Sequence, residues 1–263
     1  MSSAVAPPAL LLVAHGSRDE RFAATAEQVR AAVAGRLPGA PVELSYLDLN
    51  APLVGDVLTD IGTRGDDVVV VPLLFGDGYH SRFDLPAIIS AARRQQVSLR
   101  ANQTPVIGDT TLVPALAARL SEAGLSADDG VLMCAVGSSD AGSDAQARCR
   151  ATELSAYLQL SVEVVFATKL GESDVELHSA IARLESAGAG RIVFSPYFLS
   201  AGLLTERVVG KLVHCRPDSL IAAPVGDHPA LIDAVTSRYR SAIQESASSH
   251  ARRDAVLHAL QYR

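Results

Sequence analysis

The sequence predicts an α/β fold of two tandem, similar lobes, each a four-stranded parallel sheet flanked by helices. Three observations carry this reading. Short aliphatic or β-branched runs alternate with stretches of helical period along the chain. The pattern restarts near the middle, and local motifs restart with it. Hydrophobic residues make up 48% of the 263 positions, yet aromatics are only 5% and Trp is absent. The core must therefore be built from Ala, Val, Leu and Ile, which suits helices packed on buried parallel strands.

Taken in order, residues 9–14 are apolar throughout and read as a strand, followed by a helix over 21–36. A second strand over 42–49 precedes a helix over 53–64. The unbroken apolar run in 68–75 is a third strand, buried on both faces, and its helix spans 85–96. A short fourth strand over 104–107 leads to a helix over 112–123. The second half repeats this, with strands at 131–136, 162–167, 191–198 and 220–223 and a last helix from 229. VAHGSRD at 13–19 aligns with CAVGSSD at 134–140, residues 69–78 align with 192–202, and 105–116 align with 223–235. The expected lobes are 1–126 and 127–263.

Bulk chemistry narrows the function. Formal net charge is −6 and no Lys/Arg-rich run occurs, so a nucleic-acid partner is not expected. The start of the chain has no positively charged region, and its apolar run is too short to span a bilayer, so no membrane partner and a cytoplasmic location are expected. Cys134, Cys149 and Cys215 form no CxxC pair and read as small buried hydrophobes in a reducing compartment. Neither GxGxxG nor GxxxxGK[ST] is present, which disfavours a nucleotide enzyme.

Parallel sheets place ligands at the carboxyl ends of their strands. His15 ends the first strand, with small Gly16 and Ser17 behind it, and His80 follows the third strand in a loop holding Gly76 and Gly78. Two histidines make a poor permanent metal site, since structural zinc takes four protein ligands and catalytic zinc three. They suit brief holding of a middle-to-late divalent metal, and imidazole also accepts protons near neutrality. Each histidine alone reads equally as a packing residue beside a turn. Both at matching strand ends of one lobe point to a site.

These residues also resemble a known family. AHGSR at 14–18 and PLLFGDGYHSRFDLP at 72–86 resemble the two signatures of class II tetrapyrrole chelatases, which include sirohydrochlorin ferrochelatase and the cobaltochelatase of the early-cobalt cobalamin route. The Gly108–Asp109 and Gly226–Asp227 segments resemble a third pattern, and the likeness covers roughly 9–245. The resemblance implies a tetrapyrrole held between two lobes, with His15 and His80 as metal ligands and bases. It implies insertion of a divalent metal into sirohydrochlorin: Fe2+ for siroheme, or Co2+ for cobalamin as the alternative. The metal is then a substrate, and no cofactor is held permanently. A non-catalytic metal or tetrapyrrole carrier is the rival class. Val136 and Leu204 stand where the second lobe would carry its histidines, so one site per chain is expected, in the first lobe. Long relatives look like fused dimers, so a monomer or weak homodimer is expected.

Sirohydrochlorin carries eight carboxylates, so its pocket needs donors and cations. Ser17, Arg18, Gly78 and Arg82 are the candidate substrate contacts, although either arginine reads equally as a solvated surface residue. Asp77 or Asp84 could orient His80, with Asp84 preferred as the N-cap of the helix beginning at Leu85. His178, His214, His228, His250 and His258 lack partners at ligand spacing.

Overall fold

The computed structural model of the chain describes residues 6–109 and 112–261, the side chains of 109 and 249–261 excepted. β1 (Ala9–Ala14) is buried at every residue. It lies mid-sheet between β2 (Val42–Tyr46) and β3 (Asp67–Pro72), and β4 (Arg100–Gln103) closes the far edge in the order β2-β1-β3-β4. All pairings are parallel. The second sheet repeats the plan with β5 (Asp129–Ala135), β6 (Val162–Phe166), β7 (Arg191–Pro196) and β8 (Leu220–Ile221) in the order β6-β5-β7-β8, again parallel. The helices are α1 (Glu20–Arg36), α2 (Val54–Arg64), α3 (Leu85–Gln95), α4 (Val113–Glu122), α5 (Ala141–Leu158), α6 (Val175–Ser186), α7 (Leu203–Cys215) and α8 (Pro229–Gln261).

Two expectations are corrected. The fourth strand is Arg100–Gln103, not 104–107. An edge strand pairs on one side only and needs no apolar run, so the polar ANQ segment forms the ladder. Val106 and Ile107 are buried beyond it, Ile107 in a short 3-10 turn. The cysteines are not uniformly buried: Cys134 is, its thiol pushed up to about 12 by burial, whereas Cys149 is exposed and Cys215 half-buried.

The lobes are interlocked. α4 packs on α5 and β7 of the second sheet, while α8 packs on α1 and β3 of the first. Leu12, Val71 and Leu116 consequently share one continuous core with Met133, Val193 and Val235. Tyr239 Oη donates to the Pro8 carbonyl at 2.5 Å, and Arg36 pairs with Asp233 at 2.8 Å. A fragment of residues 1–126 would lose α8 from its sheet and leave α4 without its partner face. Size-exclusion chromatography is expected to find it aggregated or self-paired, with no stable monomer.

Candidate active site

The chain leaves β1 at Ala14 and turns sharply at Gly16, whose φ of 101° favours glycine. A Cβ there would overlap the Asp48 carbonyl oxygen of the loop after β2. That loop also fixes the turn from the other side: Asp48 N donates to the His15 carbonyl at 3.0 Å, and Asn50 Oδ1 accepts from Ser17 N at 2.7 Å. Asp19 then caps α1 by accepting from Arg21 N. Small residues behind His15 thus allow two loops to touch and hold its ring at the strand end.

His80 opens a π-helical turn, His80–Asp84, that runs directly into α3, with Leu85 N donating to the His80 carbonyl. Pro86 has no N–H to continue a regular ladder, which favours the wider turn. Asp84 is therefore not the N-cap expected from sequence. It lies inside continuous helical backbone, makes no cap bond, and accepts from His80 Nδ1 at 2.6 Å. Asp77, the other candidate, accepts from Ser81 Oγ at 2.7 Å and Arg82 Nε at 2.9 Å. Burial pushes its carboxyl up, but those two donors outweigh burial and leave it lowered.

The two imidazoles meet, with Nε2 to Nε2 at 3.2 Å and ring planes 84° apart. His15 Nδ1 lies 3.2 Å from the Gly16 carbonyl. With each Nδ1–H given to an oxygen, both Nε2 atoms present their lone pairs to the same point. A cation about 2.1 Å from each nitrogen would subtend an angle of about 100°. Two cis positions would be filled and the rest left open. Among the described residues no group of three His, Cys, Asp or Glu side chains could hold a metal, so the pair suits transfer rather than storage. Asp84→Ala is expected to weaken metal binding or turnover about 10–100-fold, read by metal titration, because His80 would lose the acceptor that sets its tautomer.

His15, Ser17, Arg18, Gly78 and His80 all line one cavity of about 660 Å³, within the range of small-molecule sites at roughly 300–1,000 Å³. Arg18 is exposed there and, among the described residues, is the lining's sole arginine or lysine. Arg82 does not line the cavity. It is held by Asp77 at 2.9 Å and by Asp140 of the second lobe at 3.2 Å, and so ties the lobes together. The second lobe supplies the far walls: Val136 and Leu204, which stand where its histidines would, line the same space together with Ser138 and Tyr197, which sequence reasoning missed, and Tyr197 packs on Phe75 at 5.1 Å between ring centroids. The reason for Gly108 emerges only here: a Cβ would run into the Phe75 carbonyl beneath the histidine loop. The GD signal located that glycine without giving its reason.

The remaining histidines lie elsewhere. His228 Nδ1 accepts from Ala230 N at 3.1 Å and caps α8, as its Pro229 neighbour suggested; burial and nearby Arg119 keep its pKa lowered. His178 touches Cys215 at 3.9 Å in a separate cavity between α6 and α7 that His214 also lines. The side chains of His250 and His258 lie outside the described residues.

The model of the CbiX family matches this chain twice, over residues 9–123 and 130–242. The chain belongs to the CbiX family. Its two matches coincide with the two sheets, giving the two-lobed fold of the class II chelatases that its motifs resemble. The chain is 27% identical over 249 residues to a sirohydrochlorin ferrochelatase of Bacillus subtilis (strain 168), covering 90% of this chain and 93% of that one. It is 25% identical over 252 residues to a sirohydrochlorin cobaltochelatase of Priestia megaterium, covering 89% and 80%. The solved structure of SirB from Bacillus subtilis with Fe3+ superposes with a TM-score of 0.76 at 25% identity, covering 92% of this chain and 98% of that one. Among the described residues of this CbiX-family chain, no helix is long and apolar enough to cross a membrane.

Proposed function

We propose that the chain is a sirohydrochlorin metal chelatase, a lyase of the cytoplasm, which inserts Fe2+ in siroheme formation. The observation that carries this is the convergence of His15 and His80 Nε2 at 3.2 Å on one cavity, with both Nδ1 atoms engaged elsewhere. The reaction exchanges one divalent cation for two pyrrole protons. His15 and His80 hold the cation through two positions, leaving others for ring nitrogens to enter as the histidines let go. A freed imidazole then takes a departing proton. Arg18 and Ser17 at the rim, with Gly78 admitting a close approach, meet the carboxylates. Arg82 acts on the site through the lobe tie. Lobe 1–126 carries the site, lobe 127–263 completes the cleft, and one chain suffices because it supplies both walls.

Cobalt insertion for cobalamin is the second reading, supported by the cobaltochelatase of Priestia megaterium among its relatives. Two imidazoles bind iron and cobalt in the general affinity order and do not choose between them. Anaerobic incubation with sirohydrochlorin and either Fe2+ or Co2+, followed by absorbance, tests both. Acceleration over the protein-free rate is expected, faster with Fe2+ on the first reading and with Co2+ on the second. Metal binding without acceleration would instead mark a carrier.

A further inference from the structure

The cleft has two equivalent ends with opposite chemistry. His15 directly follows Ala14 at the end of β1, and Val136 directly follows Ala135 at the end of β5. Asp48 N donates to the His15 carbonyl and Thr168 N to the Val136 carbonyl, both at 3.0 Å. Gly16 and Gly137 come next, with φ of 101° and 88°. Ser17 Oγ accepts from Asp19 N and Ser138 Oγ from Asp140 N, both at 3.1 Å. His80 and Leu204 stand at the same distance beyond the prolines that end β3 and β7 (80 − 72 = 8 and 204 − 196 = 8). Even the ties between lobes are reciprocal: Arg82 bonds Asp140 before α5, and Arg21 near the start of α1 bonds Glu206.

At the second end the donors are gone, yet the side chains have not withdrawn into the core. Val136 is 45% exposed, Leu203 71% and Leu204 37%, and all three line the cavity that His15 and His80 line. Aliphatic side chains facing a cleft in one cluster are a surface built to be covered. The occupant follows from the opposite wall, since whatever fills this cavity also meets the histidine pair.

We propose that Val136, Leu203 and Leu204 form an apolar seat for one face of the tetrapyrrole ring, so that the opposite face is turned toward His15 and His80. This rests on the chelatase reading above. A macrocycle of this kind is a plate with two apolar faces and a carboxylate rim. It is matched by one wall that carries the imidazole pair and one that carries aliphatic side chains at the equivalent positions. A second histidine pair at Val136 and Leu204 would hold a competing cation against the far face, and two cations across one ring repel. The seat directs metal entry to one side and buries apolar surface on both partners. Its residues are therefore positioning residues, acting on where the ring sits.

The test is neutral substitution, so that the rim carboxylates feel no added charge. The triple variant Val136→Thr, Leu203→Asn, Leu204→Asn is compared with the parent and with Val97→Asn. Sirohydrochlorin affinity is read by absorbance titration, Co2+ affinity without sirohydrochlorin by metal titration, and folding by thermal unfolding. The triple variant is expected to bind sirohydrochlorin at least 10-fold more weakly and to raise KM with kcat little changed. Its Co2+ affinity and Tm are expected to stay at parent values, and Val97→Asn, at an apolar residue 94% exposed outside the cavity, to behave like the parent. Parent-like sirohydrochlorin binding by the triple variant overturns the seat, as does an equal loss in Val97→Asn. Weakened Co2+ binding overturns it too, because the residues would then act through the histidines; a lowered Tm also overturns it, as these side chains would be structural. A parent chain that binds no sirohydrochlorin removes the chelatase reading, and the seat falls with it.

Discussion

His15→Ala and His80→Ala are each expected to cut metal insertion by about two to four orders of magnitude, the usual worth of a positioned proton-transfer group. Here each ring is also half of a two-ligand grip. Removing one Nε2 leaves a cation with a single protein ligand, so binding and proton uptake fail together. The double variant is expected to be little worse than either single one, because the pair acts as a unit and such effects are not additive. Stability should hardly change. His80 has a side chain 51% exposed and His15 is half-buried, and neither belongs to the apolar core. Exposed substitutions of this kind stay within about 0.5 kcal/mol. Initial rates by absorbance, set beside thermal unfolding, check both halves. A variant that keeps more than a tenth of parent activity would remove that histidine from the site.

Gly16→Ala is expected to fail in the opposite way, through the backbone. A φ of 101° is open to glycine and costs another residue about 1–3 kcal/mol. The added Cβ would also overlap the Asp48 carbonyl oxygen, which belongs to a loop bonded to His15 and, through Asn50, to Ser17. Relief requires the β1 and β2 loops to part, which carries His15 away from His80. A displacement of about 1 Å is enough to cost about 100-fold in rate. Activity should fall at least that far while Tm drops several degrees, at about 2–4 °C per kcal/mol for a chain near this size. Gly39→Ala is the control: its φ is also positive, at 91°, but nothing lies within 4 Å of a Cβ there, so Tm should fall without comparable loss of activity. Equal activity loss in the two variants would mean that strain alone, not the loop contact, explains Gly16.

Much of this was legible without coordinates. Apolar runs flanked by helical period located seven strands to within a few residues: the central β1, β3, β5 and β7 because strands buried on both faces must be largely apolar, and the edge strands β2, β6 and β8 because each still carries apolar residues toward the core. The exception, β4, is an edge strand whose one apolar residue is Ala101, so apolar content pointed a few residues downstream. The histidine pair was legible because two short motifs ended two neighbouring strands, and chain direction alone brings such ends together. The role of Asp84 was not legible. An acidic residue before Leu85 and Pro86 has the signature of a cap, and only the start of helical backbone at His80, which puts residues four apart on one face, sets Asp84 against His80.

The succession of strands along the chain, the duplication and the choice of the two imidazoles are thus properties of the chain's one-dimensional pattern, since periodicity and motif position survive without knowledge of long-range contacts. Which helices cover which sheet, that Arg82 ties lobes instead of walling the cavity, and that Val136 and Leu204 face the same space as the histidines were settled only in three dimensions. The physical reason is that each depends on contacts between residues far apart in sequence. Such contacts are chosen by the shape of the joint core, and neither half encodes that shape by itself.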